Sequence, residues 1–299
     1  MTFVQILILA LIQGLCELLP VSSSAHVIVA ERLMGLQPTA PDMTLLLVAL
    51  HTGTMFAVIA YFWRDWRSTY FSSMQAFRRN AAQIVLATAA TGFVGLALLF
   101  VIPRLLGIDR ASFEIEQLFG DPRLIAAALA AAGLLILTSG LLTRSQAGRP
   151  GFGARAAISI GAVQGLCLPF RGFSRSGATI SAALFLGIAR QKAEEFSFAL
   201  AVVLTPAVIV KEVHRFLKAG AHAGYDTSAL LQLAWPSAAG MVLSFVAGLV
   251  ALRWLSVWLE RGRWHYFGFY CLVASAAVLT VLRYLVNEEE RQRLDALIE

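Results

Sequence analysis

The stretch QGLCELLPVSSSAH, Gln13 to His26, brings a carboxylate, a run of hydroxyls and an imidazole into one short segment. Gln13 and Glu17 are four residues apart, so on a helix they share a face just before a break at Pro20. Ser22, Ser23 and Ser24 stand at the start of the next helix, with His26 in its first turn. Carboxylate, hydroxyl and imidazole side by side are the means of acid–base and nucleophilic chemistry. The stretch RGFSRSGAT, Arg171 to Thr179, supplies the complement: Arg171 and Arg175, hydroxyls at Ser174, Ser176 and Thr179, and glycines at Gly172 and Gly177. Glycine lets backbone N–H groups approach a ligand, a helix N-terminus favours an anion, and arginine offers a planar fork suited to phosphate oxygens. Taken together, the two stretches suit a phosphate or a diphosphate.

The elements that position them belong in a bilayer. Of the 299 residues, 58% are hydrophobic and 14% charged, which is not the composition of a soluble domain. Apolar runs reach the roughly 20 residues that cross a hydrocarbon core, so the spans are helices and not the short alternating strands of a barrel. The net charge of +6 is spread through short connections, which orients a membrane protein and excludes a nucleic-acid patch. The expected fold is an all-α integral membrane protein, with six full spans at about 43–63, 83–106, 123–143, 193–213, 228–256 and 264–286.

Two further apolar regions are interrupted, 2–19 from 24–35 by LPVSSS and 154–168 from 176–188 by PFRGFSR. Each arm is too short to cross, so each pair reads as a re-entrant helical hairpin. Both hairpins carry QGLC, at Gln13 and at Gln164, and each precedes three spans. A hairpin adds no crossing and three crossings are odd, so the second half is expected to be inverted: repeat one at about 1–144 and repeat two at about 150–287, in one membrane domain over 1–299. The two broken stretches then face each other. A carboxylate such as Glu17 at membrane depth is costly and reads as functional.

Loop charges (Arg64, Arg67, Arg78 and Arg79 in 64–82; Arg144, Arg149 and Arg155; Arg253, Arg261 and Arg263 in 253–263) favour termini outside the cytoplasm. Thr2–Ile12 is read as mature structure and not a signal peptide, the tail after Asn287 as a frayed end, and Cys16, Cys167 and Cys271 as packing residues. His51, within the first span, is read as a packing residue outside the site.

The same motifs resemble those of the bacterial undecaprenyl-diphosphate phosphatase family, the integral-membrane type once called bacitracin-resistance proteins. Gln13, Glu17, Pro20, Ser22, Ser23 and His26 match its first motif, and Gly172 with Ser174 to Thr179 its second. Arg171 stands where that family has proline, and Gln13 where it often has Glu. The resemblance implies hydrolysis of undecaprenyl diphosphate in the inner membrane, at a site open to its outer face. It also implies a divalent cation, Mg²⁺ or Ca²⁺, at Glu17 with Gln13. Glu17, Ser23, His26 and Arg175 are the expected catalytic groups, with Ser23, His26 or water as nucleophile. Gln13, Ser22, Ser24, Gly172, Ser174, Ser176, Gly177 and Thr179 are the expected phosphate-binding ones. The partners implied are the polyprenyl diphosphate lipid and membrane lipids, with a homodimer as one open assembly. The rival reading is an inverted-repeat transporter or flippase of a phosphorylated lipid or anion, whose architecture would be the same.

Overall fold

The computed structural model describes residues 1–37, 41–107, 121–144, 148–223 and 227–298. Among the described residues there are ten helices and no strand: α1 (Phe3–Leu18), α2 (Ser23–Leu33), α3 (Pro41–Tyr70), α4 (Met74–Leu106), α5 (Pro122–Leu142), α6 (Ala154–Cys167), α7 (Arg175–Phe185), α8 (Arg190–Ala223), α9 (Thr227–Glu260) and α10 (His265–Ile298).

Both expected breaks are present. The 16 residues of α1 span ~24 Å and the 11 of α2 ~17 Å, short of a ~30 Å hydrocarbon core. The 14-residue α6 and the 11-residue α7 fall short in the same way. At the open end of the second pair, Arg149 bridges Ile188, with Arg149 N–H donating to Gly187 at 2.8 Å and Ala189 N–H to Arg149 at 2.9 Å. The chain thus enters α6 and leaves α7 at one place, as a hairpin must.

Among the described residues, five helices are long and apolar enough to cross a membrane: Met43–Tyr70, Met74–Leu105, Pro122–Leu142, Trp235–Glu260 and His265–Tyr284. The sixth expected span, 193–213, lies inside the 34-residue α8. The expected loop 64–82 is a correction: α3 runs to Tyr70 and α4 starts at Met74, so Arg64, Arg67, Arg78 and Arg79 ride on helix ends. Helices keep their backbone bonded past the apolar stretch, and charges alone do not end them. Likewise the backbone stays helical to Ile298 where a frayed tail was expected, and Arg253 lies within α9.

Helices pack as α3 on α9, α5 on α10, α4 on α6 and α1 on α9. Small residues permit the close approaches. A Cβ on Gly14 would lie 2.8 Å from the Ser244 carbonyl of α9, and one on Gly165 2.8 Å from the Thr91 carbonyl of α4. These are the two QGLC glycines, and each seats its hairpin against a long helix of the other half. Leu18, Ile28, Phe62, Ile136, Ile180 and Trp264 belong to the main buried cluster around the hairpin arms. Phe93, Leu105 and Trp235 are among the large side chains left on the outside, as a lipid-facing surface requires.

Candidate active site

Glu17 lies in the last turns of α1, where the helix stops short of Pro20. Its Oε2 accepts from Ser23 Oγ at 2.6 Å and from Gln13 Nε2 at 3.1 Å. Its Oε1 accepts from Arg175 Nη2 at 3.0 Å, so the first residue of α7 reaches across to the first hairpin. Ser24 Oγ accepts from Gly172 N–H at 3.4 Å, a second bond between the breaks. The two broken stretches do face each other.

Arg175 is only half used. Nη2 holds Glu17, while Nη1 is buried without a hydrogen-bond partner. A buried donor left unpaired costs about 1–3 kcal/mol, a cost that an anion oxygen would remove.

The two helix starts differ. Ser174 caps α7, its Oγ accepting from Gly177 N–H at 3.2 Å, so that amide is already engaged. Ser22 precedes α2 with no side-chain cap, its Oγ within 3.3 Å of Ser24 Oγ. Ser22 holds φ at 66°, a left-handed conformation that a non-glycine residue adopts at a cost of roughly 1–2 kcal/mol. That turn aims the Ser22 carbonyl at His26 Nδ1, 2.8 Å away. Gly172 makes the equivalent turn in the second hairpin at φ 101°, where a Cβ would also run into the Ile125 carbonyl.

Not every expected residue joins the cluster. Thr179 is fully buried, donates to the Arg175 carbonyl at 2.8 Å and meets Ser197 Oγ at 2.6 Å, tying α7 to α8. Ser176 is buried as well. His26 keeps company with Tyr270 of α10, its Nε2 2.8 Å from the phenol oxygen and the rings stacked at 5.7 Å.

Two residues had been passed over. His51, read from the sequence as mere packing, has Nε2 3.8 Å from Glu17 Oε2, with its Nδ1 2.8 Å from the Leu47 carbonyl. An ionisable side chain inside an apolar span was the available signal. Tyr270 gave none, being an aromatic residue in an apolar helix.

Fold and site together define a helical membrane protein whose polar centre is built where two broken helices meet. The chain matches the family described as Bacitracin resistance protein BacA over residues 6–277 and belongs to it. It is 61% identical to "Undecaprenyl-diphosphatase 2" of Acinetobacter baylyi over 282 residues, covering 94% of this chain and 98% of that one. It is also 30% identical to the "Undecaprenyl-diphosphatase" of Korarchaeum cryptofilum, covering 94% and 100% of the two chains. The protein of that name from Desulfatibacillum aliphaticivorans is 32% identical, with 93% and 98% covered.

Proposed function

We propose that this protein hydrolyses undecaprenyl diphosphate to undecaprenyl phosphate and inorganic phosphate, renewing the lipid carrier of cell-wall synthesis. The names of its relatives support the substrate. The single observation that carries the chemistry is the pair formed by Arg175 and Ser23 on either side of Glu17. The arginine has a spare buried nitrogen, and the hydroxyl is already bonded to a carboxylate.

In this reading Arg175 Nη1 binds an oxygen of the terminal phosphoryl group and steadies its charge. Ser23 Oγ attacks the terminal phosphorus while Glu17 takes the hydroxyl proton. The bond to the bridging oxygen breaks, that oxygen recovers the proton from Glu17, and undecaprenyl phosphate departs. Water then attacks the phosphoserine, losing its proton to Glu17, which returns it to Ser23 as inorganic phosphate leaves. Ser23 is favoured over His26 as nucleophile because both imidazole nitrogens already face other partners, Ser22 and Tyr270.

A divalent cation is part of the proposal. Among the described residues no group of three or more His, Cys, Asp and Glu could hold one. Glu17 and the Gln13 amide fit a Mg²⁺ or Ca²⁺ ion that draws its other oxygens from the diphosphate, the usual arrangement for magnesium. Bound there, the ion would offset diphosphate charge. Chelation should abolish phosphate release and added Mg²⁺ or Ca²⁺ restore it; full activity in excess chelator would remove the ion from the reaction.

The inverted repeat belongs to the same proposal. It is supported by the exchange of partners between halves: Gly14 of α1 packs on α9, and Gly165 of α6 on α4. A site open to the outer face of the inner membrane is part of the same proposal, and sealed vesicles of known orientation test it by the side on which phosphate appears. The mass of the detergent-solubilised protein decides between monomer and homodimer. A carrier would bind phosphate equally well but has no use for a hydroxyl held by a carboxylate.

The direct test is release of inorganic phosphate from undecaprenyl diphosphate by the detergent-purified protein, with Glu17→Ala and Arg175→Ala beside it. Release by the parent and loss in both variants is the expected result. No release with any divalent cation would remove the phosphatase reading.

A further inference from the structure

A groove of about 430 Å³ runs along the outside of the first hairpin between α1, α2 and α10. Ile12, Val29, Val273, Ala277 and Val281 line it, and its polar side chains are His26 and Tyr270. His26 lies three residues after Ser23 on α2, so the two share a helix face, and His26 is the expected site residue that also lines the groove. At this junction the hydrogen bonds set the imidazole. The Ser22 carbonyl can only accept, so Nδ1 carries the proton of the neutral ring; the lone pair on Nε2 then accepts from the Tyr270 hydroxyl. The stacked phenol also fixes the plane of the imidazole. Tyr270 is half exposed at 47%, a phenol whose ring belongs to the groove and whose oxygen belongs to the site.

We propose that this groove takes the isoprenoid chain next to the diphosphate, and that Tyr270 is a positioning residue that holds His26 where chain and head group meet. The inference rests on the phosphatase reading and adds to it where the chain runs. The occupant follows from continuity: a diphosphate at Glu17 and Arg175 carries an apolar chain that must leave the polar cluster, and this apolar channel opens beside His26.

The test compares undecaprenyl diphosphate with farnesyl diphosphate, whose short chain fills less of the groove. Val273→Trp and Ala277→Phe should lower the ratio of kcat/KM for the long substrate over the short one by about tenfold, the scale of lost contacts in an apolar pocket. Turnover of the short substrate shows that each variant is folded. A ratio within twofold of the parent's would mean that only bulk lipid occupies the groove, overturning the proposal. Absence of hydrolysis of either substrate by the parent protein would instead fail the phosphatase reading. Tyr270→Phe keeps the ring and removes the hydroxyl that holds His26 at the junction of chain and head group; it should raise KM several-fold with little change in kcat. In the His26→Ala background it should cost nothing more, since Tyr270 acts through His26. Equal losses in both backgrounds would overturn the positioning role.

Discussion

Gln13 and Gln164 open the same four-residue string, and both are almost wholly buried, yet they serve different neighbours. Gln13 donates to Glu17 within its own helix at 3.1 Å, while Gln164 donates to Thr91 on α4 at 3.1 Å. One turn on, the first hairpin has Glu17 inside the polar cluster and the second has Leu168, 50% exposed. The breaks diverge in the same way. The first turns on a strained Ser22 and leaves α2 without a side-chain cap; the second turns on Gly172 and caps α7 with Ser174. What the halves share is therefore the seating of a short helix, with a glycine pressed against a partner. Glu17, Ser23 and His26 stand in one copy and Arg175 in the other.

The largest expected effect comes from moving the carboxylate. Glu17→Ala should lower kcat for phosphate release by roughly 10²–10⁴-fold, the range for a lost general base. Leu168→Glu in that background should restore nothing, because position 168 lies outside the cluster; recovery would mean that the two hairpins are interchangeable. Next is Arg175→Lys, which keeps the charge and loses the fork whose Nη2 holds Glu17 and whose Nη1 has no hydrogen-bond partner. A fall of about 10²-fold in kcat is expected, and near-parent kinetics would show that the spare nitrogen is idle.

The smallest effects separate the two turns. Gly172→Ala places a side chain at positive φ and against the Ile125 carbonyl, so it should lower thermal stability by about 1–3 kcal/mol. Ser22→Gly relaxes the matching turn and should raise stability by about 1 kcal/mol or leave it unchanged. Thermal unfolding in one detergent reads both, and equal shifts in the two variants would erase the distinction.

Much of this arrangement was legible in the residues. Pro20 with its serines, and Pro169 with Gly172, stop one helix and start another wherever they stand, so both breaks could be placed within a residue or two. That the two breaks face each other followed from the repeat, and Glu17 and Arg175 meet there. His51 was not legible as part of the cluster, because its neighbour comes from a different helix and its own surroundings, VALHTGTM, carry no motif. Helix ends were misjudged for a related reason. Arg64 and Arg67 mark where the apolar stretch stops, which is not where the backbone hydrogen bonding of α3 stops. Thr179 belongs to the same motif as Arg175 but one turn deeper, where α8 and not a ligand supplies its partner.

The division of labour between the hairpins is tested most directly by stopping turnover of undecaprenyl diphosphate and locating covalent phosphate on the chain by mass spectrometry. One phosphate on the peptide that carries Ser23, absent from Ser23→Ala together with activity, is the expected result. Phosphate on His26, or undiminished turnover by Ser23→Ala, would contradict it.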